Sequence, residues 1–422
     1  MASLVRHCLF ETIHQLLFSG GEYSMINFQS YPNMKECIIS PNVRFSNSNL
    51  SNAFNSMTNL TNISISSDQI TDISNICYGC TNVISNIIVG SNIINMHGAY
   101  RNCTNLTGSP VCGDNVIDMS FTYSDCTKLT GSPVCGENVT NMASAYMNCR
   151  NLTGIPVCGA NVTDMRTTYT NCYNITGNPV CGNNVTNMSF TYRGCNNLTG
   201  NPVCYENVTN FVATYMNCKN ITGSPVCGSN VNNMAQTYMN CTNLTGSPVC
   251  GSNVTNMASA YYYCLKLTGS PVCGESVTNM YCAYWNCYNI TGSAACGNNV
   301  TDMYYTYYGC KNLTQAVCGS NVTYMPRAYA SCENIRGNAY FYSPNVSNMS
   351  GCFSGRNTSN RLNLYVPSGS TTSAACAFNN TKSLVLANIT WSQSGSNFYN
   401  TQYNLYIYPV ANVAAKRAAN GD

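Results

Sequence analysis

The sequence predicts a repeat solenoid, because residues of one type recur every 23 positions along most of the 422-residue chain. Two columns of cysteine and one of tyrosine keep this period without a slip. The first cysteine column holds Cys80, Cys103, Cys126, Cys149, Cys172, Cys195, Cys218, Cys241, Cys264, Cys287 and Cys310. The second holds Cys112, Cys135, Cys158, Cys181, Cys204, Cys227, Cys250, Cys273 and Cys296, and the tyrosine column runs from Tyr100 to Tyr307. Three columns in phase indicate one repeated structural unit.

The repeat extends from about residue 31 to about residue 353. Tyr31 and Met34 match its apolar positions at the start, and the step shortens at Cys332 and Cys352 at the end. This range holds about 14 coils. The few side chains that one coil buries do not offset the ordering of its backbone, so the coils must stack and share a core. We expect a leucine-rich-repeat-like β-solenoid with short parallel strands and short helical turns.

Each coil has the same internal plan. Its Leu-Thr-Gly-Ser-Pro-Val-Cys segment predicts a strand around Ser109 to Val111, with Pro110 facing out of the stack. Proline has no N–H to donate, so each such strand loses a ladder hydrogen bond and should be short. The glycine after the second cysteine suits a turn, and Asn-Val-Thr-Asn-Met-x-x-x-Tyr predicts one or two turns of helix. The expected core ladders include Cys103, Cys126, Cys149, Cys172, Tyr123, Tyr146, Met119, Met142 and Leu106.

Residues 1–30 and 354–422 leave the repeat. In the first segment, apolar residues at spacings of three and four predict an amphipathic cap or attachment helix. They are Leu4, Leu9, Phe10, Ile13, Leu16, Leu17 and Phe18. Glu11 and His14 interrupt any signal-peptide core, so we expect this segment to be retained. Residues 354–422 predict a C-terminal β cap or attachment domain, with strands at residues 362–366, 383–386, 389–391 and 403–409.

One repeat carries a family resemblance. Residues 253–257 read Asn-Val-Thr-Asn-Met, and they are followed by Tyr261, Cys264 and a Leu-Thr pair at Leu267. This pattern resembles the leucine-rich repeat of BspA-like surface proteins, in a short-repeat version of the bacteriophage type. The family occurs in bacterial adhesins, protist surface proteins and bacteriophage genomes. The resemblance therefore implies a displayed solenoid and attachment, without indicating one ligand.

Composition and charge argue against several function classes. Only 8% of the residues are charged, and the net charge of +3 includes no basic run, so we expect no nucleic acid partner. No apolar run is long enough for membrane insertion. His7, His14 and His97 accompany no zinc-type cysteine spacing, and no acidic pair or nucleophile–base set recurs. We therefore expect no metal, no cofactor and no enzymatic activity.

The 28 cysteines follow the repeat, not a disulfide framework. Cys80, Cys332 and Cys352 have no second-column partner in their coils, which argues against an obligatory pair in each coil. Buried, reduced thiols are the favoured interpretation. The alternative is oxidation between the two columns after release into an oxidising medium. Cys77 and Cys80 match a redox or metal motif, but Cys77 occupies the aromatic position of its coil.

An aromatic line is the most individual feature of the late coils. The position after the tyrosine column becomes aromatic at Tyr262, Trp285 and Tyr308. The further aromatic residues beside it are Tyr263, Tyr281, Tyr304 and Tyr305. Because the tyrosine column already fills the core position, some of these rings must be exposed. Exposed rings in line bind sugar faces or partner proteins, and the alternative is packing against the C-terminal segment or a sister subunit.

Together these features predict a non-enzymatic structural and binding protein. The favoured interpretation is a bacteriophage virion component, such as a fibre, decoration or host-recognition protein, made in the host cytoplasm and displayed outside it. Its partners would be other virion proteins and a host surface glycan or protein, and we expect a homo-oligomer. The alternatives are a cell-surface adhesin of a bacterium or protist and a tail-associated glycan-degrading enzyme.

Overall fold

The computed structural model describes residues 13–24, 27–85, 90–370, 372 and 392–422. The chain forms two compact units, Met1–Tyr205 and Glu206–Asp422. Each unit is a β-solenoid whose coils stack in parallel, and the two together contain about 14 coils. The predicted repeat solenoid is therefore confirmed. The domain boundaries placed near residues 31 and 353 stay predictions.

The first unit begins with strands that already stack as coils. A parallel sheet contains, in this order, β1 (Gln15–Phe18), β3 (Glu36–Ile39) and β5 (Asn62–Ile65). A second parallel pair joins β2 (Gly21–Tyr23) and β4 (Val43–Phe45). A 3-10 turn at Phe28–Ser30 lies between β2 and β3.

The prediction of a helix near the N-terminus is wrong for the part of this segment that the structure describes. Leu4, Leu9 and Phe10 lie outside the described residues, but Gln15–Phe18 is strand β1. Parallel pairing with β3 satisfies the backbone of β1 in place of internal helical bonds. Phe18 is buried, whereas Leu17 is 63% exposed. This alternation of faces is the two-residue period of a strand.

The segment after each second cysteine forms turns instead of the expected short helix. From Met119 to Cys126, alternate N–H groups donate to the carbonyl three residues earlier, at 3.0–3.1 Å. The intervening N–H groups of Phe121, Tyr123 and Asp125 donate to carbonyls of the next coil at 2.7–2.9 Å. This alternation bends the backbone and ties neighbouring coils together. An α-helix bonds its backbone only to itself and could not do both.

A column of asparagine and aspartate holds each coil to the next within a unit. Asp118 forms parallel bridges with Asn95 and Asn141. Its Oδ1 also accepts the N–H of Ser120 at 2.7 Å, a short Asx turn that recurs from coil to coil. Among the bridged positions of the described residues, only Tyr324 departs from asparagine or aspartate.

The second unit contains a seven-stranded sheet. Four parallel neighbours are β6 (Gly292–Ala295), β7 (Leu313–Cys318), β8 (Gly337–Phe341) and β9 (Leu362–Pro367). The sheet continues from β9 through β12 (Leu405–Val410), β11 (Asn397–Asn400) and β10 (Ser392–Ser394). The strand expected at residues 362–366 is present as β9, and the one at 403–409 overlaps β12. The strands expected at 383–386 and 389–391 lie outside the described residues.

A helix that the sequence patterns did not indicate, α1 (Val413–Asn420), follows β12. Asn412 caps its N-terminus by accepting a backbone N–H. Val413 packs with Tyr340 and Tyr365, so the helix lies against β8 and β9. At eight residues its apolar period is too short to separate from the neighbouring strand pattern.

Within residues 90–370, strands form where the repeat lacks its proline. Ala294, Ala316 and Ala339 occupy the proline position in β6, β7 and β8. Eight described coils keep the proline, and none of these segments is a strand: Pro110, Pro133, Pro156, Pro179, Pro202, Pro225, Pro248 and Pro271. The short strands expected there are therefore absent, because proline has no N–H to contribute to a ladder. The expectation that Pro110 faces out of the stack is also wrong, since Pro110 is buried.

The tyrosine column supplies the hydrogen bonds that the missing strands would make. Tyr123 Oη donates to the carbonyl of Val111 at 2.8 Å and accepts the N–H of Val111 at 2.9 Å. Tyr146 and Val134 form the same pair of bonds at 2.7 and 3.0 Å. A buried phenol needs a partner, and so does the backbone after a proline. Each group satisfies the other.

The nine residues expected in the core ladders are all fully buried. The tyrosine rings stack 5.1–5.6 Å apart from Tyr100 to Tyr192, and 5.3–5.7 Å apart from Tyr215 to Tyr329. Cys126 donates its thiol to the carbonyl of Tyr100 in the preceding coil at 3.0 Å. Burial raises the pKa of Cys126, which keeps the donor protonated.

Candidate binding surface

The seven aromatic residues that the sequence singles out lie together in the second unit. Ring contacts of 4.4–5.4 Å link Tyr262, Tyr263, Tyr281, Trp285, Tyr304, Tyr305 and Tyr308. Two further residues, Tyr324 and Arg327, contact this group. We name these nine residues the aromatic patch. It spans four successive coils of the repeat.

The first row of the patch follows the direction in which coils stack. Trp285 lies between Tyr262 and Tyr308, at ring-centroid distances of 5.4 and 4.8 Å. Tyr305 stacks on Trp285 at 4.5 Å with an interplanar angle of 16°. The indole is thus held on three sides by other rings.

The second row runs beside the first. Tyr304 stacks between Tyr281 and Tyr324 at 5.4 and 5.8 Å, with interplanar angles of 17° on both sides. Tyr305 lies 4.4 Å from Tyr304 and joins the two rows. The rings therefore form one continuous surface whose members restrain one another.

Tyr324 was missed by the sequence reasoning, although a signal was present. It occupies the column in which other coils place asparagine or aspartate to accept the N–H two residues later. Two residues after Tyr324 stands Pro326, which has no N–H. The coil therefore needs no Asx acceptor here, and the position is free to carry a ring.

Arg327 is the second patch member that the sequence reasoning missed. Its guanidinium lies 5.5 Å from the centre of the Tyr305 ring and donates to the Tyr305 hydroxyl. This contact combines a cation–π interaction with a hydrogen bond. Arg327 therefore fixes the ring that joins the two rows.

Tyr263 stands where other coils place asparagine in a left-handed conformation. Its φ is +61°, beside +62° for Asn240 and +59° for Asn286 in the adjacent coils. Asparagine tolerates this conformation better than a bulky residue does. Asn240 also donates its side-chain amide to Asn217 at 2.8 Å, a ladder that tyrosine cannot continue. The ring at Tyr263 thus comes with backbone strain and a lost hydrogen bond.

The patch is accessible and electrically neutral at its centre. Tyr281 is 42% exposed and Tyr324 is 40% exposed, and the other rings are half-buried. Charge repulsion from Cys282, assisted by burial, raises the pKa of Tyr281. Burial raises the pKa of Cys282 itself to about 12. Both groups are therefore neutral at physiological pH.

The second cysteine column lies half-buried beneath the glycine of the next coil. Cys273 Sγ accepts the N–H of Gly297 at 3.1 Å, and Cys296 Sγ accepts that of Gly319 at 2.9 Å. Burial raises the pKa of Cys273 to about 12, whereas a hydrogen bond with the Cys318 side chain lowers the pKa of Cys296. These contacts run along the column. Oxidation between the two columns stays a prediction.

The histidines considered for metal chemistry contact other polar groups. His14 contacts the carbonyl of Asn33, and His97 contacts the hydroxyl of Ser120, while His7 lies outside the described residues. Cys77 and Cys80 are both buried in the core. In the part of the chain that the structure describes, no three His, Cys, Asp or Glu side chains converge as metal ligands. No described helix is long and apolar enough to cross a membrane.

The first unit has an open groove of about 640 Å³ on the outside of its coils. Ile94 and Ile117 are exposed on its floor. An asparagine ladder lines it, in which Asn138 donates to the carbonyl of Asp114 at 3.0 Å. The groove lacks the convergent aromatic contacts of the patch.

A family model matches residues 275–391, and its description is a Mycoplasma protein of unknown function, DUF285. No curated protein matches the sequence. Among solved structures, the chain is similar to a leucine-rich repeat protein from Bacteroides ovatus ATCC 8483. That likeness has 14% identity and a TM-score of 0.39, and it covers 84% of this chain and 81% of the other.

A second similar structure is a leucine-rich cell surface protein from Faecalibacterium prausnitzii A2-165. Its identity is 15% and its TM-score is 0.30, with coverage of 77% of this chain and 87% of that protein. Both structures belong to the repeat class that the sequence resembles. The assignment of a leucine-rich-repeat-like β-solenoid itself rests on the coils, ladders and bridges described above.

Proposed function

We propose that the chain is a non-catalytic binding protein that contacts its partner through the aromatic patch. The observation that carries the proposal is the position of two of its rings. Tyr263 replaces an asparagine of the ladder that ties other coils together, and Tyr324 occupies a bridge column that otherwise holds asparagine or aspartate. Backbone strain of the kind seen at Tyr263 costs on the order of 1–3 kcal/mol and concentrates at functional sites. A ring placed outside the core at such a cost supports a role in binding.

The surrounding solenoid suits this role. Trp285 is immobilised by three neighbouring rings, so little side-chain entropy remains to be lost when a partner binds. Tryptophan, tyrosine and arginine are also the residues most enriched at binding hot spots. The patch combines all three on a rigid support.

Attachment of labelled full-length protein to a panel of bacterial strains tests the proposal. The triple variant Tyr262→Ala, Trp285→Ala and Tyr308→Ala should reduce attachment by tenfold or more, because hot-spot truncations remove about 2 kcal/mol or more. Tyr205→Ala is the matched control, since Tyr205 is 45% exposed and lies in the first unit. Unchanged attachment of a folded triple variant would contradict the proposal.

Tyr263→Asn separates binding from stability. Asparagine should relieve the left-handed strain and rejoin the amide ladder, so the free energy of unfolding should rise by about 1 kcal/mol. Attachment should weaken in the same variant. Urea unfolding and the attachment assay measure the two effects. A variant that loses stability would show that the ring serves the fold.

We place this binding protein on a bacteriophage particle, as a fibre, decoration or host-recognition component, and the short-repeat resemblance supports that location. The cysteines support it as well. First-column thiols such as Cys126 and Cys149 are reduced and act as buried hydrogen-bond donors. A chain with so many thiols folds without mispairing in a reducing cytoplasm, which is where virion proteins are made.

Mass spectrometry of purified particles and of cell-envelope fractions tests the location. Peptides of the chain in particles support a virion component, whereas peptides confined to envelopes support the alternative, a cell-surface adhesin. Light scattering of the purified protein tests the expected homo-oligomer. Release of shorter sugars from host polysaccharide would instead support the tail-associated enzyme.

A further inference from the structure

We propose that the aromatic patch binds a neutral, linear glycan whose chain lies along the direction of coil stacking. This inference rests on the binding role proposed above and specifies its ligand. Four properties of the patch point to it: its direction, the part of each ring that it exposes, its spacing and its charge.

The patch repeats its contacts once per coil. Tyr262, Trp285 and Tyr308 come from three successive coils, and the second row advances in the same direction. Adjacent coils lie about 4.8 Å apart, as neighbouring parallel strands do. A ligand that uses every ring must therefore be extended along this axis and must repeat its own chemistry at a similar spacing.

The second property is the part of each ring that stacking leaves uncovered. Stacking at 17° covers the inner faces of Tyr281, Tyr304 and Tyr324 with one another. In the described part of the chain, the hydroxyls of Tyr308 and Tyr324 have no hydrogen-bond partner. A tyrosine hydroxyl both donates and accepts, so it suits a ligand rich in hydroxyl groups.

The spacing fits sugars better than peptides. An extended peptide presents side chains to one face about every 6.6–6.8 Å, and a polyproline helix repeats about every 9.3 Å. The row contacts of the patch are 4.8–5.8 Å long. A pyranose unit in an extended chain advances by close to the rise of one coil. Successive sugars can therefore meet successive rings without losing register.

The charged groups at the patch are one cation and one anion. Arg327 donates to the Tyr305 hydroxyl. Asp302 accepts the N–H of Tyr304 at 2.8 Å in its Asx turn. The two charges are opposite in sign and sum to zero, and the rings between them are neutral. The patch therefore favours an uncharged glycan.

Tryptophan fluorescence provides a direct test. The sequence has two tryptophans, Trp285 and Trp391, so the full-length Trp391→Phe variant reports on the patch alone. The probes are β-1,4-linked oligomers of glucose and of N-acetylglucosamine, from two to six units long. We expect a fluorescence change whose affinity rises with each unit up to four, because the patch spans four coils, and then levels off. An affinity independent of length, or no change with either series, would overturn the proposal.

Removing hydroxyls tests the contact itself. The double variant Tyr308→Phe and Tyr324→Phe keeps both rings and should weaken glycan binding by about tenfold, the effect of one or two neutral hydrogen bonds. Tyr205→Phe, outside the patch, should leave binding unchanged. Unchanged binding by the double variant would overturn the role of the hydroxyls and with it the proposed ligand geometry.

Treatment of cells separates this proposal from the binding role on which it rests. Soluble hexamers of β-1,4-linked glucose or N-acetylglucosamine should compete away patch-dependent attachment, and protease treatment of the cells should not. If protease alone abolishes attachment while the triple alanine variant still fails to attach, the binding role stands and the ligand is a protein. If the triple variant attaches normally, the binding role itself fails.

Discussion

The proline coils and the strand coils satisfy the same backbone groups in different ways. In β7 and β8, neighbouring coils pair through an ordinary parallel ladder. In the coil of Pro133, the groups of Val134 bond instead to the hydroxyl of Tyr146 in the same coil. A side chain inside each coil therefore replaces a bond between coils.

The difference shows why tyrosine, and not phenylalanine, fills the column wherever proline is present. Where the column lacks a hydroxyl, the coil has a strand instead. Cys77 follows β5, and Phe353 follows β8. A hydroxyl is required where the strand is missing, because half-buried backbone groups without partners destabilise the fold. The two columns of the repeat thus compensate for each other.

Among the predictions that test the difference between proline coils and strand coils, the largest expected effect is unfolding at alkaline pH. Burial raises the pKa of buried thiols such as Cys126 and of column tyrosines such as Tyr146. A group whose pKa is raised by folding stabilises the folded state while the pH lies below the pKa of the unfolded state. That stabilisation is lost as the pH rises above the unfolded-state pKa, which is about 8.5 for thiols. Each buried thiol then removes about 1.4 kcal/mol per pH unit. Several thiols together exceed the stability of a typical domain.

Circular dichroism in reductant, from neutral pH upwards, should show cooperative unfolding within one to two pH units above the thiol pKa of the unfolded state. Hydrogen exchange at rising pH should open the proline coils first, since the backbone of each depends on a protonated phenol. Earlier exchange in β7 and β8 would contradict the comparison.

A smaller effect is expected from removing one hydroxyl. Tyr146→Phe leaves the N–H and the carbonyl of Val134 without their partner, so the free energy of unfolding should fall by about 1–3 kcal/mol. Tyr329→Phe is the matched control. Its hydroxyl donates to the carbonyls of Ala294 and Val317, which lie in coils that have a strand. We therefore expect the free energy of unfolding to fall by less than about 1 kcal/mol. Urea unfolding measures both, and equal losses would remove the distinction.

The smallest effect is expected from the proline itself. Pro133→Ala should lower stability by about 0.4–1 kcal/mol, through the greater entropy of the unfolded chain. The native segment should stay irregular, because Tyr146 already occupies the groups of Val134. Hydrogen exchange and urea unfolding check this. A stabilised variant with a newly protected strand would show that proline alone prevents pairing.

Much of the fold could be predicted because the repeat makes each coil an independent copy of one pattern. The spacing of the Cys126 and Tyr123 columns is enough to predict stacking and burial, and both side chains are fully buried. The turns after Val116 were predicted as helix, because spacings of three and four fit both. Only the neighbouring coil, which accepts alternate N–H groups, distinguishes them.

The aromatic patch was predictable in part for a related reason. Rings such as Trp285 and Tyr308 follow the period, so their sequence spacing translates into contact. Tyr324 and Arg327 lie one step out of the 23-residue count, because the coil that contains them is a residue shorter. Their membership depends on the altered register of that coil, which the stacked backbone defines.

By itself, the sequence determined the period, the ladders of Cys and Tyr, and the place of the extra rings, because a strict repeat converts spacing along the chain into stacking in space. The tertiary structure decided what satisfies the backbone. Whether Val134 bonds to a strand or to a phenol, and whether Gln15–Phe18 is helix or strand, depends on which groups a neighbouring coil brings within hydrogen-bond distance. Hydrogen bonds are short-ranged and directional, so spacing alone cannot choose between such partners.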